Sequence, residues 1–392
     1  MSTASDASLP ASESSNGWIG ELLRALHRSP RFRLARRLVH RHAHFGPPVF
    51  FFGGVTWDAL TLQRIDSWVV NLLLLTYLVG LGACILYAIR HEYDDITHPR
   101  LRALGRWYPP AIQFLTGALF SALVVFYVQS VTLGTSLFLV VLIGMLVANE
   151  FIWSRVFNVY VLLGVYFLAA LAFFVLVLPV ILGTMGYGMF LLSSAASVAL
   201  VGGMLVYLDR RGLTPRWQTR AGLAGVIFTL FLTAHLCYVQ NWMPPVPLAL
   251  RDGGVVHDVR IEEGAYHLTY EPARWYQFRQ RESSTVHHVP GDTLYAFAAV
   301  FAPTTIETEI AHHWQRYDEA AGEWVTTDRI PYPVTGGRLT GYRGYTMKRH
   351  VAPGRWRVNV ETSRGAVIGR FHVQVVERDP AAPPALRERA YE

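Results

Sequence analysis

The chain has 392 residues, of which 52% are hydrophobic and only 16% are charged. This composition is too apolar for an ordinary soluble protein, and the chain is too long for one simple domain. Residues 1–243 carry 17 Arg and 10 Asp and Glu, and residues 244–392 carry 18 Lys and Arg and 18 Asp and Glu. The whole formal net charge of +7 therefore lies in the first part of the chain. A neutral second half has no net attraction for phosphates, so nucleic acid is not an expected partner.

The N-terminal segment is polar at first and amphipathic afterwards. Residues 1–17 are rich in Ser and Ala and are expected to form a disordered tail. Residues 18–45 place apolar side chains at helical spacing on both sides of Pro30, with seven arginines at the polar positions: Arg24, Arg28, Arg31, Arg33, Arg36, Arg37 and Arg41. We expect this segment to lie on the anionic inner leaflet, where each Arg contributes about 1 kcal/mol of binding. Alternatively, these arginines only set the orientation of the chain in the membrane.

Residues 46–241 contain seven apolar segments and predict a bundle of seven transmembrane helices in a lipid bilayer. The segments are 47–62, 67–89, 109–128, 136–152, 159–181, 187–208 and 221–240. Loops 90–108 and 209–220 carry four Arg each, whereas loops 129–135 and 182–186 carry none. Since basic loops stay on the cytoplasmic side, the N-terminus is expected inside and the C-terminal region outside. The first segment is short and contains an aspartate, but six spans would put basic residues on both sides.

Residues 248–376 alternate polar and apolar side chains and predict an all-β domain. The candidate strands are 255–261, 265–271, 293–302, 306–317, 323–330, 343–350, 355–362 and 366–376. The last two form the clearest hairpin, and Gly365 supplies the positive φ that its short turn requires. Several short strands separated by turns predict a sandwich of immunoglobulin-like type. Residues 377–392 are expected to form a loose tail.

Short motifs in the second half resemble a known bacterial family. They are His312-His313-Trp314, Tyr342-Arg343-Gly344-Tyr345-Thr346, Pro353-Gly354-Arg355-Trp356-Arg357-Val358, Gly365 and Phe371-His372-Val373. Together they resemble the bacterial domain of unknown function 2914, and the stretch 53–66 resembles the uncharacterised polytopic membrane region that accompanies it. The resemblance implies a bacterial inner-membrane protein whose β domain faces the periplasm, and it implies no known activity.

Polar side chains in hydrocarbon are costly and are candidates for function. Six of them fall in or beside the apolar segments: Asp58, Arg64, Asp66, Asn71, Glu150 and His235. The first four form a cluster at the outer end of the first helical hairpin, which predicts either a proton- or cation-responsive site or a structural ion pair between Asp58 and Arg64. Glu150 is expected to pair with Arg155 at the cytoplasmic interface. A contact of His235 with Asp58 would form a proton relay, and a hydrogen bond to a neighbouring helix is the simpler alternative.

The β domain offers a second set of candidates, which combine aromatic rings with guanidinium and imidazole groups. They are Trp275, Arg279, His312, Trp314, Tyr342, Arg343 and Trp356. Such residues suit stacking on sugars or binding of anionic groups, although aromatic residues also fill the core of a small sandwich. Residues 244–392 also contain eight histidines, but no pair has a chelating spacing. His313 and His350 are therefore weak metal candidates, and no cofactor is predicted.

The chain contains no catalytic signature, nucleotide-binding loop or metal-finger spacing. We therefore expect a non-enzymatic membrane protein whose β domain binds an envelope protein or glycan. Two alternatives remain open at this point. The helices form a transporter or channel with the β domain as an outer cap, or the protein is a membrane enzyme acting on a lipid-linked substrate.

Overall fold

The computed structural model describes residues 56–58, 60, 62, 67–130, 137–152, 158–213, 217–273, 282–289, 291–303, 306–337, 340–379 and 384–391. The predicted tail 1–17 and the basic segment 18–45 lie outside these residues, and so does most of the first apolar segment.

The first part of the described chain is helical. Its helices are α1 (Trp68–Glu92), α2 (Pro99–Ala103), α3 (Tyr108–Val128), α4 (Leu137–Ile152), α5 (Val159–Leu182), α6 (Tyr187–Arg210) and α7 (Trp217–Val239), with a 3-10 turn at Leu104–Arg106. Five of them, α1, α3, α5, α6 and α7, are long and apolar enough to cross a membrane. They coincide with predicted segments, which confirms a membrane-type helical region. Helix α4 also matches a predicted segment but is shorter, so five of the seven predicted spans are found among the described residues.

Helix α5 is the centre of this helical region. It contacts α1, α3, α6 and α7, and most of its length is buried by them. The side chain of Asn158 caps its first turn by accepting a hydrogen bond from the amide of Tyr160 at 2.8 Å. Gly183 ends it in the left-handed conformation with φ of 69°. A helix that is apolar on all sides is expected at such a central position.

The second part of the described chain consists of β-strands. They are β1 (Ala249–Val256), β2 (Asp258–Glu262), β3 (Ala265–Tyr270), β4 (Thr285–His288), β5 (Thr293–Phe301), β6 (Glu307–Asp318), β7 (Glu323–Thr335), β8 (Tyr342–Arg349), β9 (Gly354–Thr362), β10 (Val367–Glu377) and β11 (Arg387–Tyr391). Seven of the eight predicted strands match β3 and β5 to β10, whereas the predicted strand 255–261 spans the end of β1 and most of β2. Strands β4 and β11 and the early start of β1 are not evident from the sequence pattern.

The strands form three sheets, with the orders β4-β10-β9-β6-β7, β1-β5-β8 and β11-β3-β2. Strand β5 lies between the other two sheets. Its residues Ala296 and Ala298 pack towards the five-stranded sheet. Phe297 and Ala299 pack on the opposite side, towards the sheet of β2, β3 and β11. The structure thus confirms a C-terminal β region. Its strand order departs from the two-sheet arrangement that an immunoglobulin-like sandwich would have.

Strand β11 corrects the prediction of a loose tail at 377–392. It pairs with β3 along its whole length, from Arg387 opposite Tyr270 to Tyr391 opposite Tyr266. Arg389 adds a largely buried anchor, with Nη1 at 3.0 Å from Asp252 and Nη2 at 2.7 Å from Glu282. The five residues of β11 are too short a segment to be recognised as a strand from sequence. The strand is stabilised by partners more than 100 positions away in the chain.

We expect Arg389→Met to destabilise the β region by about 3–5 kcal/mol, because two partly buried carboxylates lose the guanidinium between them. The free energy of unfolding and the hydrogen exchange of residues 384–391 measure the effect in the full-length protein. Arg387→Met, which changes an exposed arginine on the same strand, is the matched control and should leave both nearly unchanged. Equal effects of the two substitutions would contradict the anchoring role.

A buried polar network crosses the core between the sheets. His312 is fully buried, and its ring lies 3.0 Å from Thr346 Oγ1 and 2.9 Å from Tyr332 Oη. The indole Nε1 of Trp314 also donates to Thr346 Oγ1 at 3.2 Å. Burial lowers the pKa of His312 to about 3, so the ring is neutral in the folded protein.

Because an unfolded histidine titrates near 6.5, the unfolded chain takes up a proton below that pH that folded His312 does not. The titration of His312 therefore does not affect stability above about pH 6.5. Below that pH it destabilises the folded protein increasingly as the pH falls towards 3, by about 2 kcal/mol at pH 5. We expect His312→Gln to flatten the fall in unfolding temperature between pH 7 and pH 5. His350→Asn, at an exposed position, should keep the wild-type slope. An unchanged slope in His312→Gln would show that His312 is not the group responsible.

Candidate functional site

Among the intramembrane candidates, Asp58 has a partner within the helical region. Ser121 Oγ on α3 donates a hydrogen bond of 2.5 Å to Asp58 Oδ2. Asn71 lies half-buried on α1. Glu150 lies near the end of α4, but its side chain is not among the described parts of the structure. Arg64 and Asp66 lie outside the described residues. The predicted pairing of Asp58 with Arg64 therefore stays a prediction.

His235 lies on α7 within a group of aromatic rings. Its Nδ1 is 2.9 Å from the carbonyl oxygen of Phe231, one turn earlier on the same helix. Its ring centroid lies 4.0 Å from that of Phe231 and 5.0 Å from that of Phe190. Among the described residues no contact joins His235 to Asp58, so the proton relay, one of the two alternatives for His235, is not assembled in this structure. The hydrogen bond of His235 is made within its own helix.

Three of the predicted ligand-binding residues of the β region are core residues. His312 and Trp314 are completely buried and Trp356 is 3% exposed, so these side chains hold the sheets together and present no surface to a ligand. The reason is the alternation of each strand, which turns them towards β5. Trp275 and Arg279 lie outside the described residues.

Arg343 and Tyr342 are neighbours on β8 with different surroundings. Arg343 Nη1 donates to the carbonyl oxygen of Tyr391 at 2.9 Å, and its guanidinium lies 5.0 Å from the ring centroid of Tyr266. Arg343 therefore connects β8 with the sheet of β2, β3 and β11. Tyr342 is half-buried and packs against the core cluster on the side of the five-stranded sheet.

The histidines do not assemble a metal site within the described part of the chain, where no group of three potential ligands has suitable geometry. His313 Nδ1 lies 3.2 Å from Glu361, and His350 is exposed at the end of β8. A different pair, His257 and His287, contacts opposite oxygens of Glu271 at 2.9 and 2.8 Å. Burial alone would raise the pKa of Glu271, but hydrogen bonds from both histidines outweigh it and lower that pKa.

The most distinctive surface of the β region is the outward face of the five-stranded sheet. We call it the arginine face and define it by Gln315, Tyr317, Trp324, Arg355, Arg357, Asn359, Arg370 and His372. Its residues alternate along β9 with Trp356 and Val358, which point into the core. In the sheet register His372 lies opposite Arg357, and Arg357 lies opposite Gln315. Three strands thus bring these side chains into one row.

The floor of the arginine face is formed by two buried amides. Gln315 is 8% exposed and Asn359 is 4% exposed, and Asn359 Nδ2 donates to Gln315 Oε1 at 3.2 Å. Arg357 Nε donates to the same Gln315 oxygen at 2.7 Å, and Arg370 Nε donates to Asn359 Oδ1 at 2.6 Å. Both guanidinium groups are therefore oriented by neutral acceptors.

Aromatic rings stand beside these cations. The guanidinium of Arg357 lies 4.4 Å from the ring centroid of Trp324, and the ring of Trp324 is 6.1 Å from that of His372. Arg355 lies 3.8 Å from the centroid of Tyr317 and forms a two-point ion pair with Glu319 at 3.0 Å. Stacking holds the planar guanidinium groups in place and leaves their remaining N–H groups at the surface.

The electrostatics of the arginine face favour an anion. Among the described residues Arg357 and Arg370 form no ion pair with a carboxylate. Partial burial lowers the pKa of Arg357, and the charge of Arg370 lowers it further. Burial, followed by the charges of Arg370 and Arg357, likewise lowers the pKa of His372, so this ring resists protonation. Two like charges without a counter-charge suit a ligand that brings its own negative charge.

Arg357, Arg370 and Trp324 were not among the site residues predicted from the sequence. The alternation of the hairpin 355–376 already places Arg357 and Arg370 on the polar face of their strands. Alternation does not reveal that Gln315 and Trp324 from β6 and β7 join them, because strand order cannot be read from it.

Residues 307–375 match the family described as protein of unknown function (DUF2914). The match confirms the resemblance in the C-terminal region, and no family match confirms it for the membrane region. No match was found among curated proteins.

Two solved structures give weak similarities. A β-glucosidase from Listeria innocua in complex with gluconolactone is 13% identical, covers 29% of this chain and 16% of its own length, and has a TM-score of 0.19. A Pseudomonas fluorescens alkylpurine DNA glycosylase bound to DNA is 9% identical, covers 81% of this chain and 99% of its own length, and has a TM-score of 0.21. TM-scores this low do not establish a shared fold. The established relationship is that of residues 307–375, the segment that carries the arginine face, to DUF2914.

Proposed function

We propose that this is a bacterial inner-membrane protein whose β region lies in the periplasm and binds an acidic envelope glycan without catalysing a reaction. The observation that carries the proposal is the pair Arg357 and Arg370, which neutral amides orient and which have no carboxylate partner in the described chain. The guanidinium of Arg357 also lies beside the ring of Trp324.

The chemistry of this face matches a saccharide that carries carboxylates. A guanidinium binds a carboxylate with two parallel hydrogen bonds, and a charge-assisted hydrogen bond contributes about 1.5–3 kcal/mol. The ring of Trp324 offers an apolar face for a sugar, and Gln315 and Asn359 hold the guanidinium groups in place beforehand. Such preorganisation lowers the entropic cost of binding.

The orientation rests on the distribution of basic residues. Loops 90–108 and 209–220, at the ends of α1 and α6, carry four Arg each, which favours a cytoplasmic position for both. Acidic residues in the same loops neutralise only part of this positive charge, as in the ion pair between Arg220 and Asp209. The complete seven-span topology, and the binding of residues 18–45 to the anionic inner leaflet, belong to the same proposal.

The transporter alternative depends on intramembrane polar groups such as Asp58 and His235. The enzyme alternative depends on Asp58 and Asp66, and Asp66 lies outside the described residues. The hydrogen-bond partners of Asp58 and His235 are Ser121 and the backbone carbonyl of Phe231, respectively, which favours roles in helix packing. The non-enzymatic binding function is therefore the better supported proposal.

The orientation predicts a specific labelling pattern in intact cells. Cys84 and Cys237 are free and lie in α1 and α7, so a Cys84→Ala, Cys237→Ala background accepts single new cysteines. Ala320→Cys, in the exposed turn between β6 and β7, should react with a membrane-impermeant maleimide once the outer membrane is opened. Arg100→Cys, exposed on α2, should react only after the inner membrane is permeabilised. The reverse pattern would contradict the orientation.

Glycan binding is tested with soluble peptidoglycan fragments and the full-length protein in detergent. Arg357→Gln or Arg370→Gln should each weaken binding by about 10- to 100-fold, the equivalent of one lost charge-assisted interaction. Fragments whose carboxylates are amidated should bind the wild type comparably weakly. Trp324→Ala tests the stacking contribution separately.

The matched control is Arg260→Gln, because Arg260 is exposed on β2 and its partner Asp258 lies two residues away. It should bind the fragments as the wild type does. Equal binding of carboxylated and amidated fragments, or wild-type affinity in both arginine-face variants, would contradict the proposed ligand class.

A further inference from the structure

The connection between α1 and α3 contains a short helical segment that leads directly into α3. We call residues 99–107 the interfacial segment, which comprises α2, the 3-10 turn Leu104–Arg106 and Trp107. Helices α1 and α3 are both long and apolar enough to cross a membrane, and the connection begins where α1 ends at Glu92. The interfacial segment therefore lies near one surface of the bilayer that these helices would cross.

Side chains three residues apart share one side of the interfacial segment. They are neighbours on successive helical turns, and in a 3-10 turn they eclipse each other. The segment therefore presents three ridges of side chains. The inner ridge contains Arg102 and Gly105 and continues to Tyr108 of α3, the apolar ridge consists of Leu101, Leu104 and Trp107, and the basic ridge consists of Arg100, Ala103 and Arg106.

The inner ridge packs against the end of α1. Arg102 Nη2 lies 2.6 Å from Oδ1 of Asp94, which follows α1 closely in the chain. A Cβ atom at Gly105 would overlap the imidazole of His91 in the last turn of α1, so glycine allows this close contact. Tyr108 continues the ridge, with its ring centroid 5.5 Å from that of His91. The apolar and basic ridges therefore face away from the end of α1.

One hydrogen bond sets the depth of the interfacial segment relative to α1. Tyr87 Oη donates to the carbonyl oxygen of Leu101 at 2.7 Å. Tyr87 precedes the last residue of α1, Glu92, by five residues, which is about 7.5 Å of helix at 1.5 Å per residue. The headgroup layer on one side of a bilayer is about 5–7 Å thick. The segment therefore lies beside the last turns of α1, at the depth of the headgroups, and not beyond the helix end in water.

The two ridges that face away from α1 combine apolar and basic side chains. Leu101, Leu104 and Trp107 are 50%, 49% and 59% exposed. Arg100 and Arg106 are exposed as well, and among the described residues neither forms an ion pair with a carboxylate. At the membrane surface such apolar side chains enter the boundary between headgroups and acyl chains, where tryptophan is enriched, and arginines attract anionic lipids.

We propose that the apolar and basic ridges of the interfacial segment bind anionic phospholipids of the surrounding leaflet. Leu101, Leu104 and Trp107 insert at the boundary of the acyl chains, and Arg100 and Arg106 bind the lipid phosphates. Insertion supplies affinity for any bilayer, and the two arginines supply selectivity for lipids with a net negative charge. The proposal requires only that α1 and α3 cross a bilayer, and it is independent of the glycan proposed for the arginine face.

The test for insertion attaches a bimane fluorophore to Leu104→Cys of the full-length protein, in the Cys84→Ala, Cys237→Ala background. The protein is reconstituted in phosphatidylcholine with brominated acyl chains, which quench a fluorophore only on contact. The label at Leu104→Cys should be quenched strongly, whereas the same label at Ala320→Cys, in the exposed turn between β6 and β7, should not. Equally weak quenching at both positions would mean that the apolar ridge faces water or a partner protein, and it would overturn the proposal.

The test for selectivity uses the same fluorophore in equal mixtures of phosphatidylglycerol and phosphatidylcholine, with bromine on one lipid or the other. Brominated phosphatidylglycerol should be preferred about fivefold for each arginine, the equivalent of about 1 kcal/mol per basic residue at an anionic surface. The double variant Arg100→Gln, Arg106→Gln should lose most of this preference, and Arg100→Lys, Arg106→Lys should retain it. Arg349→Gln, which removes an exposed charge from β8, is the matched control and should behave as the wild type. A full preference in the double glutamine variant would overturn the proposal.

Discussion

Strand β5 is buried on both of its faces, and the arrangement of the β region follows from this constraint. Its small residues Ala296 and Ala298 let the five-stranded sheet approach on one side, while Phe297 fills the space to the sheet of β2, β3 and β11 on the other. Because the apolar core is collected around one strand, the outer face of the five-stranded sheet is not needed for packing. That face can carry buried amides and two arginines, Arg357 and Arg370, that form no ion pair with a described carboxylate, and such charges would be costly in a core.

The hairpin of β9 and β10 connects three parts of the molecule. The side chains of Trp356 and Val358 enter the core, and Arg357 and Arg370 lie on the opposite, outward side. Its turn carries Arg364 to the ends of α6 and α7. One hairpin therefore contacts the core, the arginine face and the ends of α6 and α7.

Polar groups in the helical region have a different character. Ser121 binds Asp58, Asn149 Nδ2 donates to the carbonyl oxygen of Gln113 at 3.0 Å, and Ser193 donates to backbone carbonyls of α5 and α6. These are contacts between neighbouring helices or within one helix, and they satisfy groups that hydrocarbon cannot solvate. Helix α5, apolar on all sides, provides the surface on which the other helices are arranged.

The sequence by itself determined the division of the chain into an apolar helical part and a β part, the positions of five long helices, and seven of the strands. It did so because hydrophobic periodicity is a local property, set by the solvent on each side of one element. Local motifs such as Pro353-Gly354-Arg355-Trp356 also indicated the resemblance to DUF2914.

Only the tertiary structure decided which side chains meet. Trp314 and Trp356 are attractive as binding residues in sequence, yet both are core residues, while Arg357, Gln315 and Trp324 come from three strands to form one surface. Strand β11 and the position of Arg364 against α6 and α7 likewise depend on partners far away in the chain. The physical reason is that alternation specifies the face of a strand on which a residue lies, whereas sheet order and register specify its neighbours.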